Sequence, residues 1–109
     1  MKDRRNDLII RGGSNVYPAE VERVLHDDPR VQACAVVGKS DLRLGERVVG
    51  FVQPFPGQTV TADELRELCL TQLARYKVPE EFIFVDDFDR TAIGKIKKTA
   101  LRDRLAETT

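Results

Sequence analysis

The sequence contains no tryptophan, one methionine, one histidine and two cysteines, and its 18 basic and 18 acidic residues leave no net charge. With a single histidine and no Cys/His/Asp cluster, it offers no metal site. Cys34 and Cys69 fall in a predicted strand and a predicted helix without CxxC spacing, so we expect buried, reduced thiols rather than a disulfide. The balanced charge gives no reason to expect a nucleic-acid partner.

The chain also lacks an apolar run of the about 20 residues that span a bilayer, and its N-terminus does not resemble a signal peptide. We therefore expect no transmembrane segment and a cytoplasmic location. Its 109 residues fit one domain with a real core, but they are few for a complete two-substrate enzyme. The length favours a module of a larger protein.

Apolar periodicity and turn residues predict seven elements. They are a strand at 8–10, a helix from Pro18, strands at 31–37 and 48–52, a helix after Thr61, a strand at 82–85 and a helix from about Ile96. The loop between the two central strands, residues 39–46, is too long for a two-residue hairpin turn. This order predicts an α+β domain with a small open sheet, about three main strands plus a short N-terminal β segment, packed with helices.

Thr61 and Glu64 form the sequence signature of a capping box, in which hydroxyl and carboxylate each satisfy a free amide at the helix start. Apolar residues follow it at helical spacing, so this is the most strongly indicated helix of the chain. Gly12 and Gly13 permit positive φ after the first apolar run, which predicts a tight loop there.

Gly94 and Lys95 stand together on a loop before the last helix. A phosphate-binding loop would need a glycine where Asp89 stands and a serine or threonine where Ile96 stands, so that motif is excluded. Lys95 precedes the helical pattern and lies beside a glycine, where functional residues tend to gather. The neighbouring cations are expected only to solvate the helix: Lys97, Lys98 and Arg104.

Four segments in register, from Asp3 to about Leu105, closely resemble the C-terminal domain of the adenylate-forming (AMP-binding) superfamily, and acyl-CoA synthetases most of all. The segments are DRRNDLIIRGGSNVYPAEVE, LGERVVGFVQP, LARYKVPEEFIFVDDF and RTAIGKIKK. The resemblance implies that residues 1–109 are a single mobile domain and that the large N-terminal nucleotide and substrate domain is absent. It also implies a ligase of the kind used in fatty-acid metabolism. Such a ligase first converts a carboxylic acid and ATP into an acyl adenylate and pyrophosphate, and the thiol of CoA then attacks the adenylate.

By the same resemblance, Lys95 is the catalytic lysine of adenylation, and Gly94 lets its loop approach closely. Arg4 matches a linker arginine that contacts the nucleotide, and Asn6 stands at the hinge, where the family usually has Asp or Lys. Gly12 and Gly13 match the loop that lines the pantetheine tunnel for CoA. ATP, CoA and the acid are the implied ligands, with Mg²⁺ held mainly by the large domain, which is also the implied partner.

Asp89 departs from the family pattern, since a proline normally opens the lysine motif; its carboxylate could stiffen the loop or lie near Lys95. Two other functions remain open at this point. The chain could be a fragment of a peptide-synthetase adenylation domain, or a free-standing, non-catalytic module that docks on a partner synthetase or carrier. We expect the isolated domain to be inactive in ligation.

Overall fold

The computed structural model describes residues 8–43 and 45–107, and the side chains of these up to residue 105. Five strands form one sheet: β1 (Ile9–Arg11), β2 (Ser14–Val16), β3 (Val31–Asp41), β4 (Gly45–Pro54) and β5 (Glu81–Phe84). Three α-helices accompany them, α1 (Pro18–Leu25), α2 (Ala62–Gln72) and α3 (Lys98–Glu107), with a 3-10 turn at Arg75–Lys77. The α+β prediction is confirmed.

The sheet is built on the long antiparallel pair β3 and β4, which runs from Val31↔Pro54 to Asp41↔Gly45. The other edge of β4 is shared by two strands. β1 meets its start antiparallel, through the pair Arg11↔Gly45, and β5 runs parallel to it from Val49 onward. β2 lies outside β1, so the path across the sheet is β2-β1-β4-β3 with β5 beside β4.

Both faces of the sheet are buried. On one face α1 and α2 pack on a cluster that includes Val36 and Val48, and on the other α3 covers Ala35 and Phe51. Successive residues of β3 and β4 point to opposite faces of the sheet. Because helices cover both faces, residues on both sides are apolar, and each strand has a continuous apolar run instead of an alternating pattern. Helices therefore occupy two layers, with the sheet between them.

The predicted capping box is present at the start of α2. The backbone N–H of Glu64 donates to Oγ1 of Thr61 at 3.1 Å, and the N–H of Thr61 donates to the Glu64 carboxylate at 3.0 Å. The two cysteines are free and buried, as expected.

The structure differs from the sequence prediction in three places. The tight loop expected at Gly12 and Gly13 is present, but strand β2 after it was not predicted, and it makes a hairpin of Ile9–Val16. β3 and β4 extend further than expected, and their pairing continues to Asp41↔Gly45. The last helix begins at Lys98 rather than near Ile96, because Ile96 pairs with Arg90 across a turn.

Candidate active-site loops

Lys95 lies on a tight hairpin, residues 90–97, called the Lys95 loop below. The N–H of Gly94 donates to the carbonyl of Thr91 at 2.9 Å, and the N–H of Thr91 donates to the carbonyl of Lys95 at 2.7 Å. Gly94 has φ +92°, a left-handed backbone conformation that residues with a side chain rarely adopt. A Cβ at this position would meet no atom within 4 Å. The glycine is thus required by the backbone conformation of the turn.

The side chain of Lys95 is exposed at a groove of about 410 Å³ beside β3. Two other cations line this groove and are engaged within the chain: Arg90 donates to the carbonyl of Gly94 at 3.0 Å, and Lys98 Nζ lies 2.8 Å from Oε2 of Glu22. Lys95 makes no ion pair with any residue that the structure describes. Its charge is therefore available to an anionic ligand.

Gly12 and Gly13 form the two-residue turn of the hairpin Ile9–Val16, called the glycine hairpin below. Their φ angles are +59° and +87°, the pattern of a type I′ turn, in which both central residues are left-handed. A Cβ added to either glycine would meet nothing within 4 Å in this chain. The turn is therefore bare on its outer side, where a ligand or another domain could approach the backbone.

The two loops lie at opposite edges of the sheet. The Lys95 loop borders the groove lined by Cys34 and Ala35 of the edge strand β3, whereas the glycine hairpin extends from the β1 side of β4. The domain thus presents two chemically different loops at two edges of one sheet. Arg4 and Asn6, the other residues singled out in the sequence, lie outside the described residues.

The cysteine in the groove is not a nucleophile. Burial, and then the nearby Glu22 carboxylate, raise the pKa of Cys34 to about 12, so the thiol stays protonated at neutral pH. Burial likewise raises the pKa of Cys69 to about 11. Asp89 is exposed and makes no ion pair with Lys95; its carbonyl accepts from the N–H of Lys97 at 2.8 Å and closes the base of the Lys95 loop.

Glu46 and Lys77, which lie in family-like segments of the sequence, have scaffold contacts. The carboxylate of Glu46 accepts from the N–H of Ile10 at 2.8 Å and so helps to hold β1. Lys77 Nζ lies 3.0 Å from the Glu20 carboxylate, and this hydrogen bond raises the pKa of the lysine.

Sequence reasoning missed two carboxylates, Glu22 and Glu80. Each accepts a backbone N–H from the edge of a strand and also binds a cation next to one of the two loops. Neither residue forms a motif of its own in the sequence, and each carried no signal beyond its charge. Their partners are distant in sequence, so no local pattern could have revealed them.

The fold and the two loops define a small α+β domain with an exposed cation on one loop and a bare glycine turn on the other. The family model for the AMP-binding enzyme C-terminal domain matches residues 20–95, and the chain belongs to this family. Within the described residues, no helix is long and apolar enough to cross a membrane.

Relatives and solved structures agree with this assignment. The chain is 43% identical to an indoleacetate–CoA ligase of Aromatoleum aromaticum, over 97% of the chain and 21% of the ligase. Among solved structures, a fatty acyl-CoA synthetase of Mycobacterium tuberculosis matches with TM-score 0.90 at 43% identity, over 98% of the chain and 21% of its own. An o-succinylbenzoate–CoA synthetase of Bacillus subtilis, in complex with its acyl-adenylate intermediate, matches with TM-score 0.82 at 41% identity, over 94% and 20%. The chain thus spans about a fifth of each of these proteins.

Proposed function

We propose that this chain is the C-terminal domain of an ATP-dependent acid–CoA ligase and supplies one loop to each of two half-reactions. The observation that carries the proposal is Lys95, an exposed cation at the end of a glycine-shaped turn, with no ion pair among the described residues. The matched relatives that are named ligases or synthetases support this function. They do not favour a peptide-synthetase fragment or a free-standing docking module.

In the first half-reaction, Lys95 binds between the substrate carboxylate and the α-phosphate of ATP. These two anions repel each other, and a fixed cation both aligns them and stabilises the negative charge that builds up in the transition state. The turn at Gly94 leaves the lysine exposed on the domain surface, where a site formed by another domain can receive it. The products are the acyl adenylate and pyrophosphate.

In the second half-reaction, the glycine hairpin lines the path of the CoA thiol. The thiol attacks the acyl carbon and displaces AMP, which leaves a thioester. Gly12 and Gly13 have no side chain that would narrow this path, and their positive φ angles allow the tight turn to form.

The remaining contributions follow from the family. Arg4 contacts the nucleotide, where its forked guanidinium suits ribose or phosphate oxygens, and Asn6 is the hinge about which the domain rotates between half-reactions. The partner is the large domain of the same enzyme, which holds the acid pocket, and the location is the cytoplasm, where ATP and CoA are available. Among the described residues no group of three or more His, Cys, Asp or Glu side chains could hold a metal ion, and the Mg²⁺ that accompanies ATP would be held mainly by the large domain.

The test joins this chain to the large domain of the indoleacetate–CoA ligase, in place of that ligase's own C-terminal domain, to give a fusion enzyme. Adenylation is followed as pyrophosphate release with indoleacetate and ATP, and thioester formation is followed separately from synthetic indoleacetyl adenylate and CoA. We expect both activities in the fusion enzyme. An inactive fusion enzyme would contradict the proposed function.

Lys95→Ala in the fusion enzyme should lose adenylation by at least about 100-fold, the scale on which one charge-stabilising group acts. It should keep most of the thioester formation from supplied adenylate. Lys97→Ala is the matched control, because Lys97 is an exposed lysine of the same loop. Equal loss of both half-reactions in Lys95→Ala would refute the division of roles.

A further inference from the structure

Glu80 fills a gap in the sheet next to the glycine hairpin. β1 pairs with β4 at Gly45 and β5 pairs with it from Val49, so Val48 lies between the two neighbouring strands. The N–H of Glu80 donates to the carbonyl of Val48 at 2.8 Å, and the N–H of Val48 donates to Oε1 of Glu80 at 3.2 Å. Backbone and side chain of one residue thus satisfy both backbone groups of Val48.

The second carboxylate oxygen of Glu80 reaches the glycine hairpin. Nε of Arg11 donates to Oε2 of Glu80 at 3.0 Å, and a second guanidinium nitrogen binds the same oxygen. Arg11 directly precedes Gly12 and is the residue through which β1 pairs with β4. Both side chains are only about a quarter exposed, at 26% and 25%, so solvent screens this pair less than a surface pair.

Glu22 occupies the equivalent position next to the Lys95 loop. Its Oε2 accepts from the N–H of Val36, on the free edge of β3, at 2.8 Å, and it lies 2.8 Å from Lys98 Nζ. Lys98 is the first residue of α3 and directly follows Lys97, whose N–H closes the base of the Lys95 loop. Glu22 therefore links α1, on one face of the sheet, to the start of α3, on the other.

We propose that Glu22 and Glu80 are positioning residues, each of which holds one loop at the orientation its half-reaction needs: Glu22 the Lys95 loop, and Glu80 the glycine hairpin. The inference rests on the proposed function and assigns residues that act through their contacts within the chain. A loop displaced by about 1 Å can cost a large factor in rate, because the reacting groups must meet at defined geometry. Each carboxylate also needs its backbone N–H contact, which anchors it to the sheet before it binds the cation.

The decisive variants are Glu22→Gln and Glu80→Gln in the fusion enzyme. Glutamine keeps a side-chain oxygen for the strand N–H but removes the charge that binds Lys98 or Arg11. Glu22→Gln should slow adenylation at least about tenfold, since it loosens the loop that places Lys95. Glu80→Gln should instead raise the KM for CoA or slow thioester formation by a similar factor.

In each variant the other half-reaction should stay within about twofold, because well-separated sites act independently. Lys98→Met should slow adenylation alone, as Glu22→Gln does, whereas Lys98→Arg keeps the positive charge and should adenylate like the unsubstituted fusion enzyme. Arg11→Met should impair only thioester formation, as Glu80→Gln does. Glu67→Gln, an exposed position on α2, is the matched control for the charge removed and should change neither step. If the Glu22→Gln variant folds poorly, the comparison of Lys98→Met with Lys98→Arg still tests the role of the Glu22–Lys98 ion pair.

Three results would overturn the inference. Both variants could slow both half-reactions alike as thermal stability falls, which would make the carboxylates merely structural. Both could leave the two rates unchanged, or the effects could be exchanged between the loops. Failure of the proposed function is recognised separately, because it would appear in the unsubstituted fusion enzyme and in Lys95→Ala.

Discussion

Replacing Gly94 by alanine tests how far the shape of the Lys95 loop controls adenylation. Gly94 has φ +92°, and a Cβ there would meet no atom within 4 Å, so the cost of the methyl group lies in the backbone conformation alone. A left-handed conformation costs a residue with a Cβ about 1–2 kcal/mol. That free energy lowers the population of the native turn by a factor of about 5–30.

We therefore expect Gly94→Ala to lower the kcat/KM of adenylation in the fusion enzyme by about 5–30-fold. Thioester formation from supplied adenylate should not change, since the glycine hairpin lies at the other edge of the sheet. Gly94→Asn should lose less, because asparagine tolerates left-handed backbone better than alanine. The assay is pyrophosphate release at subsaturating ATP and indoleacetate.

Gly57→Ala is the control for backbone strain. Gly57 has φ +81° and equally open space for a Cβ, but it lies in the turn after β4, outside both loops. It should lose similar thermal stability and keep adenylation. The reasoning is refuted if Gly94→Ala adenylates at the full rate, or if Gly57→Ala slows adenylation as strongly.

Three further outcomes can be measured. Gly13→Leu should block use of CoA and spare adenylation, with Gly57→Leu as its control; thioester formation at the full rate would show that the turn does not border the CoA path. Because burial raises the thiol pKa values of Cys34 and Cys69 to about 12 and about 11, iodoacetamide at pH 8 should label both slowly until denaturant is added, and rapid native labelling, read by mass spectrometry, would contradict their burial. The isolated chain should release no pyrophosphate above background with ATP and a panel of carboxylic acids, and release that depends on Lys95 would contradict its dependence on a large domain.

Elements with a local signal were predictable from the sequence. The capping box at Thr61 identified α2, because both of its hydrogen bonds join residues three apart. β3 and β4 were recognised as apolar runs, although their outer ends were not, because residues such as Lys39 and Arg47 are paired by the ladder rather than by apolar packing. The return strand β2 is only three residues long, Ser14–Val16, and its pairing with β1 gave no periodic pattern.

The candidate site was predictable only in part, for a related reason. Gly94 and Lys95 were found because glycine and lysine side by side on a loop form a local motif, and the structure adds that Gly94 is left-handed. The hairpin that displaces the start of α3 was missed, since its bridge between Arg90 and Ile96 spans polar and apolar residues without alternation. Contacts between distant residues were not visible at all: Arg11 and Glu80 are 69 positions apart.

The arrangement of the sheet explains why loss in one half-reaction is more informative than loss of total activity. The long β3–β4 pair is the centre of the sheet, and Glu22 and Glu80 each add a contact between one loop and a different edge of this pair. A substitution that softens this centre, such as Phe51→Ala beneath α3, would disturb both loops and lower both rates together. A substitution at Glu22 or Glu80 changes one attachment and leaves the centre intact. Separate measurement of the two half-reactions therefore distinguishes a residue that positions one loop from a residue that only keeps the domain folded.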